Sequence, residues 1–156
     1  MNSVNPLKIF DILKSHNVEF VIIGGHAVNY HGYVRTTEDF DIIIKPEDNN
    51  KKLFEALSEM NACWITNEID TETKIEKTKP VTLSYMSNNH LMMLCTDNGF
   101  IDIFDFIPGF PEISADEIFD TSEEFKGLKY ISLDWLIKIK QKAGRTRDLE
   151  DIEKLS

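Results

Sequence analysis

The residues whose types and spacing could do chemistry are concentrated in one stretch, "GGHAVNYHGYVRTTEDFDIII", residues 24–44. Asp39 and Asp41 stand one residue apart at the head of the apolar run Ile42-Ile43-Ile44. In a strand, residues i and i+2 share a face, so both carboxylates project side by side while Phe40 points the other way. Adjacent carboxylates repel, and each holds its proton more tightly unless a cation intervenes. A divalent metal removes that conflict, and Mg²⁺ takes one or two protein carboxylates together with phosphate oxygens. Alone, the pair also fits a solvated strand entrance. Gly24 and Gly25 change the balance. They separate the β-branched run "EFVII" from a short helical segment, where missing side chains and free N–H groups suit a phosphate. The other reading of two glycines there is a tight turn with close packing.

Two further segments carry ionisable side chains in unusual settings. "FIDIFDFI" offers Asp102 and Asp105. Three apart in a strand, they face opposite sides, so only one of them can join Asp39 and Asp41. In the helix expected over 133–143, advancing about 100° per residue places Leu133, Leu136, Ile137, Ile139 and Ala143 on one face. Lys140 falls in the middle of that face. An inward lysine needs an escape route for its amine or an anionic partner: a core acid, a phosphate, or a site aspartate in the empty protein. Arg35 precedes the Asp-x-Asp strand and Arg145 follows the lysine helix. A guanidinium suits bidentate contact with phosphate, though an exposed one is often only solvating. Arg147 is expected to pair within the acidic last helix.

The elements that must position these residues follow from pattern. Asn5-Pro6 reads as an N-cap and first helical residue, followed by apolar residues at helical spacing. "EFVIIGG" is a buried strand and "GHAVNYHG" a helix of about two turns stopped by Gly32. "DFDIIIK" is a strand ended by Pro46, and "EDNNKKLFEALSEM" a helix. After a polar stretch, "PVTLSYMS" and "HLMMLCT" read as strands. Asn98-Gly99 is a turn leading into "FIDIFDFI". "LKYISL" is a short strand before the lysine helix, which Gly144 closes, and "TRDLEDIEKL" makes a final helix. The order implies an α+β fold, an α/β sandwich with a small mixed sheet flanked by helices.

Composition bounds the function. The 156 residues fit one domain, 1–156, able to bury a core without disulfide or metal staples. No apolar run reaches the roughly 20 residues of a membrane span, and the N-terminus lacks the layout of a signal peptide. Cys63 and Cys95 read as reduced, buried thiols of a cytoplasmic protein. The net charge of −10 argues against a broad nucleic-acid-binding surface. Yet seven of the 17 basic residues lie between Lys126 and Arg147, where Asp134 is the only acid, so a small anion could bind there. No Cys/His cluster has zinc spacing, and no nucleophile motif or P-loop is present. His31, ending the short helix, is expected to cap or pack. His26 could touch phosphate or base, but a surface role is preferred. His16 and His90 have no ligand-like neighbours. The ten phenylalanines are expected in the core.

Gly24-Gly25, 13 intervening residues and Asp39-Phe40-Asp41 resemble the nucleotidyltransferase superfamily related to DNA polymerase β. His31, Gly32, Arg35 and Thr37 fall on the pattern of its small stand-alone prokaryotic members, near the toxin–antitoxin nucleotidyltransferases. The ending "LIKIKQKAGRTRDLEDIEKL" is similar to theirs, so the resemblance spans nearly the whole chain. It implies the nucleotidyltransferase fold and transfer of a nucleoside monophosphate from an NTP bound with Mg²⁺ or Mn²⁺. Asp39, Asp41 and a third acid, Asp102 in preference to Asp105, would be the catalytic and metal-binding residues. Gly24, Gly25, Lys140, Arg145 and Arg35 would bind nucleotide. The acceptor hydroxyl is left open: a small molecule such as an antibiotic, a tRNA end or a protein. So are a toxin–antitoxin role and a homo-oligomer or protein partner. The competing expectation is a non-catalytic nucleotide- or partner-binding module on the same fold.

Overall fold

The computed structural model describes residues 5–37, 39–45 and 50–156. Asn5 caps α1 (Pro6–Ser15) by accepting the Lys8 N–H, and Pro6 fills a first-turn position that needs no donor. β1 (Phe20–Ile23) runs directly into α2 (Gly24–Tyr30), and β2 (Phe40–Ile44) follows the loop after α2. Next come α3 (Asn50–Glu59), β3 (Cys63–Ile69), β4 (Glu76–Pro80), α4 (Leu83–Asn88), β5 (Leu91–Thr96) and β6 (Gly99–Phe104). The chain closes with α5 (Asp116–Thr121), β7 (Glu123–Phe125), β8 (Leu128–Tyr130), α6 (Leu133–Ala143) and α7 (Thr146–Leu155). The expected strand end at Pro46 lies outside the described residues.

The strands form one mixed sheet in the order β4-β3-β5-β6-β2-β1-β8-β7, with helices on both faces. The expectation of an α+β fold with a mixed sheet flanked by helices holds, with eight strands among the described residues. Alternation along β1 and β2 divides the core. Phe20, Ile22, Phe40 and Ile42 pack with α1 and α3 on one face. Val21, Ile23 and Ile43 pack with α2, α5 and α6 on the other. This second layer covers the middle of the sheet only, and Met93 of β5 is 63% exposed on that side.

Several local expectations need correcting. "PVTLSYMS" is α4 rather than a strand, because the Thr82 hydroxyl accepts the Tyr85 N–H and caps a helix there. The polar stretch holds the antiparallel β3–β4 pair, stabilised by backbone hydrogen bonding with few apolar residues to announce it. Phe100 and Phe125 are half exposed, not core. Cys63 and Cys95 are free thiols facing each other across β3 and β5, half-buried rather than buried. No helix among the described residues is long and apolar enough to cross a membrane.

Candidate active site

Strand register builds the site. β1 pairs antiparallel with β2 so that Ile23 lies opposite Asp41, and β2 pairs parallel with β6 so that Asp41 lies opposite Asp102. Cross-strand partners share a face, so Asp41 and Asp102 meet side by side. Their carboxyls are close enough to hydrogen-bond when one carries the proton. Burial first, then the Asp102 charge and hydrogen bond, then the Asp39 charge push Asp41 up to about 7, against a smaller opposing pull from Lys140. Asp102 is also raised, by burial and then by Asp39. Asp39 itself is exposed, one residue before β2, and its carbonyl accepts from the Thr37 hydroxyl at 3.3 Å. Asp105 is elsewhere, paired with His90 at 2.9 Å, which also gives His90 the acidic neighbour the sequence did not reveal.

Both glycines are forced by packing against this machinery. Gly24 has φ +66°, and a Cβ there would run into the Asp41 carboxylate. A Cβ on Gly25 would overlap Thr37. His26, expected at the surface, is half-buried and stacked on Phe40 with centroids 4.5 Å apart. Its Nε2 has no hydrogen-bond partner among the described residues; burial and then Arg35 lower its pKa to about 4. His31 caps α2, and its Nε2 makes a 2.7 Å hydrogen bond with the Ile131 carbonyl.

The basic residues are organised by two acids to which the sequence reading gave no role. α6 is capped by Ser132 and ends at Gly144, φ +65°. Its Lys140 is 6% exposed and pairs with two core acids rather than with a site aspartate. It bonds Asp151 at 2.8 Å and Asp148 at 3.4 Å, both on α7 and both buried. Arg35 grips Asp151 with two hydrogen bonds of 2.9 Å, and Arg145 Nε donates to Asp148 at 2.7 Å. Burial raises Asp148 and Asp151, but the hydrogen bonds from Arg145 and Arg35, with the Lys140 charge, outweigh it and hold both below the ordinary carboxylate range. Arg147 is exposed and makes no ion pair among the described residues, contrary to expectation. The available signal was the i, i+3 spacing of Asp148 and Asp151, which puts two acids on one face of a short helix following an inward lysine.

A cavity of about 210 Å³ joins the two halves. Ile23, Asp41 and Phe104 form its sheet wall, with Gly24 at the start of α2 beside them; Lys140, Lys142 and Arg145 form the opposite wall. Among the described residues no three His, Cys, Asp or Glu side chains form a ready metal cage. The donor set nonetheless suits a divalent cation: two half-buried carboxylates with a shared charge conflict that a cation would relieve.

Solved structures with this architecture carry related descriptions. The lincosamide antibiotic adenylyltransferase LnuA, with lincomycin bound, aligns over 99% of this chain and 98% of its own, at 18% identity and a TM-score of 0.64. ANT(2″)-Ia in complex with adenylyl-2″-tobramycin aligns over 96% and 84%, at 14% identity and a TM-score of 0.59. A Thermotoga maritima protein ascribed to the nucleotidyltransferases aligns over 95% and 88%, at 20% identity and a TM-score of 0.56. No family model matches the sequence, and no curated protein is significantly similar to it. At these identities the likeness defines the fold: the chain is a minimal nucleotidyltransferase-fold protein.

Proposed function

We propose that residues 1–156 act as a single-domain nucleotidyltransferase, moving a nucleoside monophosphate from an NTP to an acceptor hydroxyl. The observation that carries this is the half-buried Asp41–Asp102 pair, of which Asp41 lines a cavity walled by Lys140, Lys142 and Arg145. Acids on one wall and cations on the other suit a metal-bound polyphosphate. Asp39, Asp41 and Asp102 would hold Mg²⁺ or Mn²⁺, which when bound neutralises charge on the transferring phosphate. Asp102 takes the proton of the acceptor hydroxyl. Lys140 spends two of its three N–H donors on Asp148 and Asp151 and keeps one for phosphate. Lys142 and the exposed part of Arg145 add charge at the cavity mouth, where the Gly24 backbone leaves room. Gly25 closes against Thr37 behind it. Arg35 acts through Asp151 rather than on the nucleotide directly.

The test is incubation with each α-labelled NTP, Mg²⁺ or Mn²⁺ and a cell extract. Label transfer that Asp41→Asn abolishes supports the proposal. A wild type that neither transfers label nor gains metal-dependent thermal stability from any NTP sinks it. Nucleotide binding that survives loss of both Asp39 and Asp41 would instead identify a non-catalytic module.

A further inference from the structure

The carboxylate pair lies between two unlike surfaces. On one side is the basic cavity. On the other, the same face of the sheet continues from β6 onto β5, which among the described residues contributes nothing to the core under the helices of that side. Register places Met93 opposite Asp102 and Leu91 opposite Phe104. Facing partners share a side and neighbours along a strand alternate. Leu91, Met93 and Phe100 therefore stand on the Asp102 side, while Met92, Leu94, Ile101 and Ile103 fill the first core. Met93 is 63% and Phe100 52% exposed, and the helix layer on this side includes no residue of β5. Large apolar side chains left open beside an ionisable pair mark a binding surface.

The charge around this patch narrows its ligand. Farther out on the same side, β3 and β4 contribute Cys63, Ile65, Thr78 and Pro80, none of them basic. Lys79 is turned to the opposite side, over the Trp64 ring. A phosphate-rich acceptor would find no cation among these paired residues and would meet Asp39 and Asp102 instead. The basic cavity accounts for the NTP; the apolar surface is left for the second substrate.

We infer that the acceptor is a small alcohol with an apolar flank, uncharged or cationic, lying across Leu91, Met93 and Phe100 with its hydroxyl at Asp102. This rests on the nucleotidyl-transfer reading. The acceptor oxygen bonds to the α-phosphorus, and the bond from that phosphorus to the bridging oxygen breaks. Pyrophosphate leaves, and the hydroxyl proton passes to the Asp102 carboxylate.

The test uses the full chain carrying ¹³C-methyl methionine. The probe is n-octyl β-D-glucoside below its micelle concentration, with glucose and a short RNA bearing a free 3′ hydroxyl as controls. Octyl glucoside should shift the Met93 methyl signal and leave that of buried Met60 in place; glucose and RNA should move neither. Phe100→Ser, read at Met93, and Met93→Ser, read by calorimetry, should each weaken octyl glucoside binding about tenfold or more, since burying one large apolar side chain supplies roughly that. Both variants should keep the NTP·Mg²⁺-dependent rise in Tm. A Met93 signal that octyl glucoside leaves unmoved overturns the inference, as does one moved by RNA alone or already buried in a dimer of the free protein. The two readings fail separately. If NTP binds and Met93 stays still, only the acceptor inference falls; if no NTP binds, nucleotidyl transfer falls and takes the acceptor with it.

Discussion

Replacing Asp41 with asparagine should stabilise the metal-free protein while abolishing its function. Asp41 is raised from 3.8 to about 7 because burial and the charges of Asp102 and Asp39 oppose its ionisation. A displacement of that size corresponds to about 4 kcal/mol of unfavourable ionisation at pH 8. Water entry and local relaxation reduce what is realised to about half, so roughly 2 kcal/mol is expected. For a chain of this length that is about 4–8 °C in Tm. The sign follows from linkage. The folded state holds the Asp41 proton to higher pH than the unfolded state, so this stabilisation is complete below 3.8 and lost as pH rises through about 7. Asparagine carries no charge to lose. The variant should therefore gain little over wild type near pH 4.5 and exceed it clearly at pH 8. His26 titrates in the opposite sense across the same window, but it is common to both proteins and cancels in the difference. Thermal melts of both proteins at the two pH values, with and without Mg²⁺, provide the assay. Mg²⁺ should raise the wild-type Tm at pH 8 and leave the variant unmoved. A variant no more stable than wild type at pH 8, or one whose gain is equal at both pH values, would refute the account of the pair.

Asp151→Ala removes the partner of Arg35 and Lys140 together; stranding buried charge should cost about 3–5 kcal/mol, measured by urea unfolding. His26→Phe keeps the stack on Phe40 and deletes an unpaired buried nitrogen. Because the folded-state pKa of His26 is depressed to about 4, wild type loses stability as pH falls from 6.5 towards that value, and the variant should outlast it in melts near pH 5. Asp105→Asn breaks only the exposed pair with His90, so NTP·Mg²⁺-dependent stabilisation should persist, whereas Asp102→Asn should remove it.

The placement of the candidate site's carboxylates was far more legible in the sequence than the ion-pair network beside them, and the reason is physical. Side chains alternate along a strand, so Phe40, Ile42 and Ile44 fix one face of β2 in the core and thereby fix Asp39 and Asp41 on the other. A slip of one residue would bury Asp41 and expose Phe40, so the hydrophobic pattern that folds the strand also aims the carboxylates. The same logic put Asp102 and Asp105 on opposite faces, so that only one could join them, while the preference for Asp102 came from the family resemblance. Lys140 was legible only as an inward charge. Its partners depend on how α7 docks back against α6, and the Arg35–Asp151 bond joins residues 116 positions apart, which no local period encodes. The β3–β4 strands were hidden for a related reason: both faces of β4 are exposed, so it has no burial alternation to read. What hydrophobic patterning specifies is the row Gly24–Asp41–Asp102. What it leaves to tertiary docking is the set of charges that brings lysine and arginine up to that row, and Asp148 and Asp151 hold them there without spending the site's own acids.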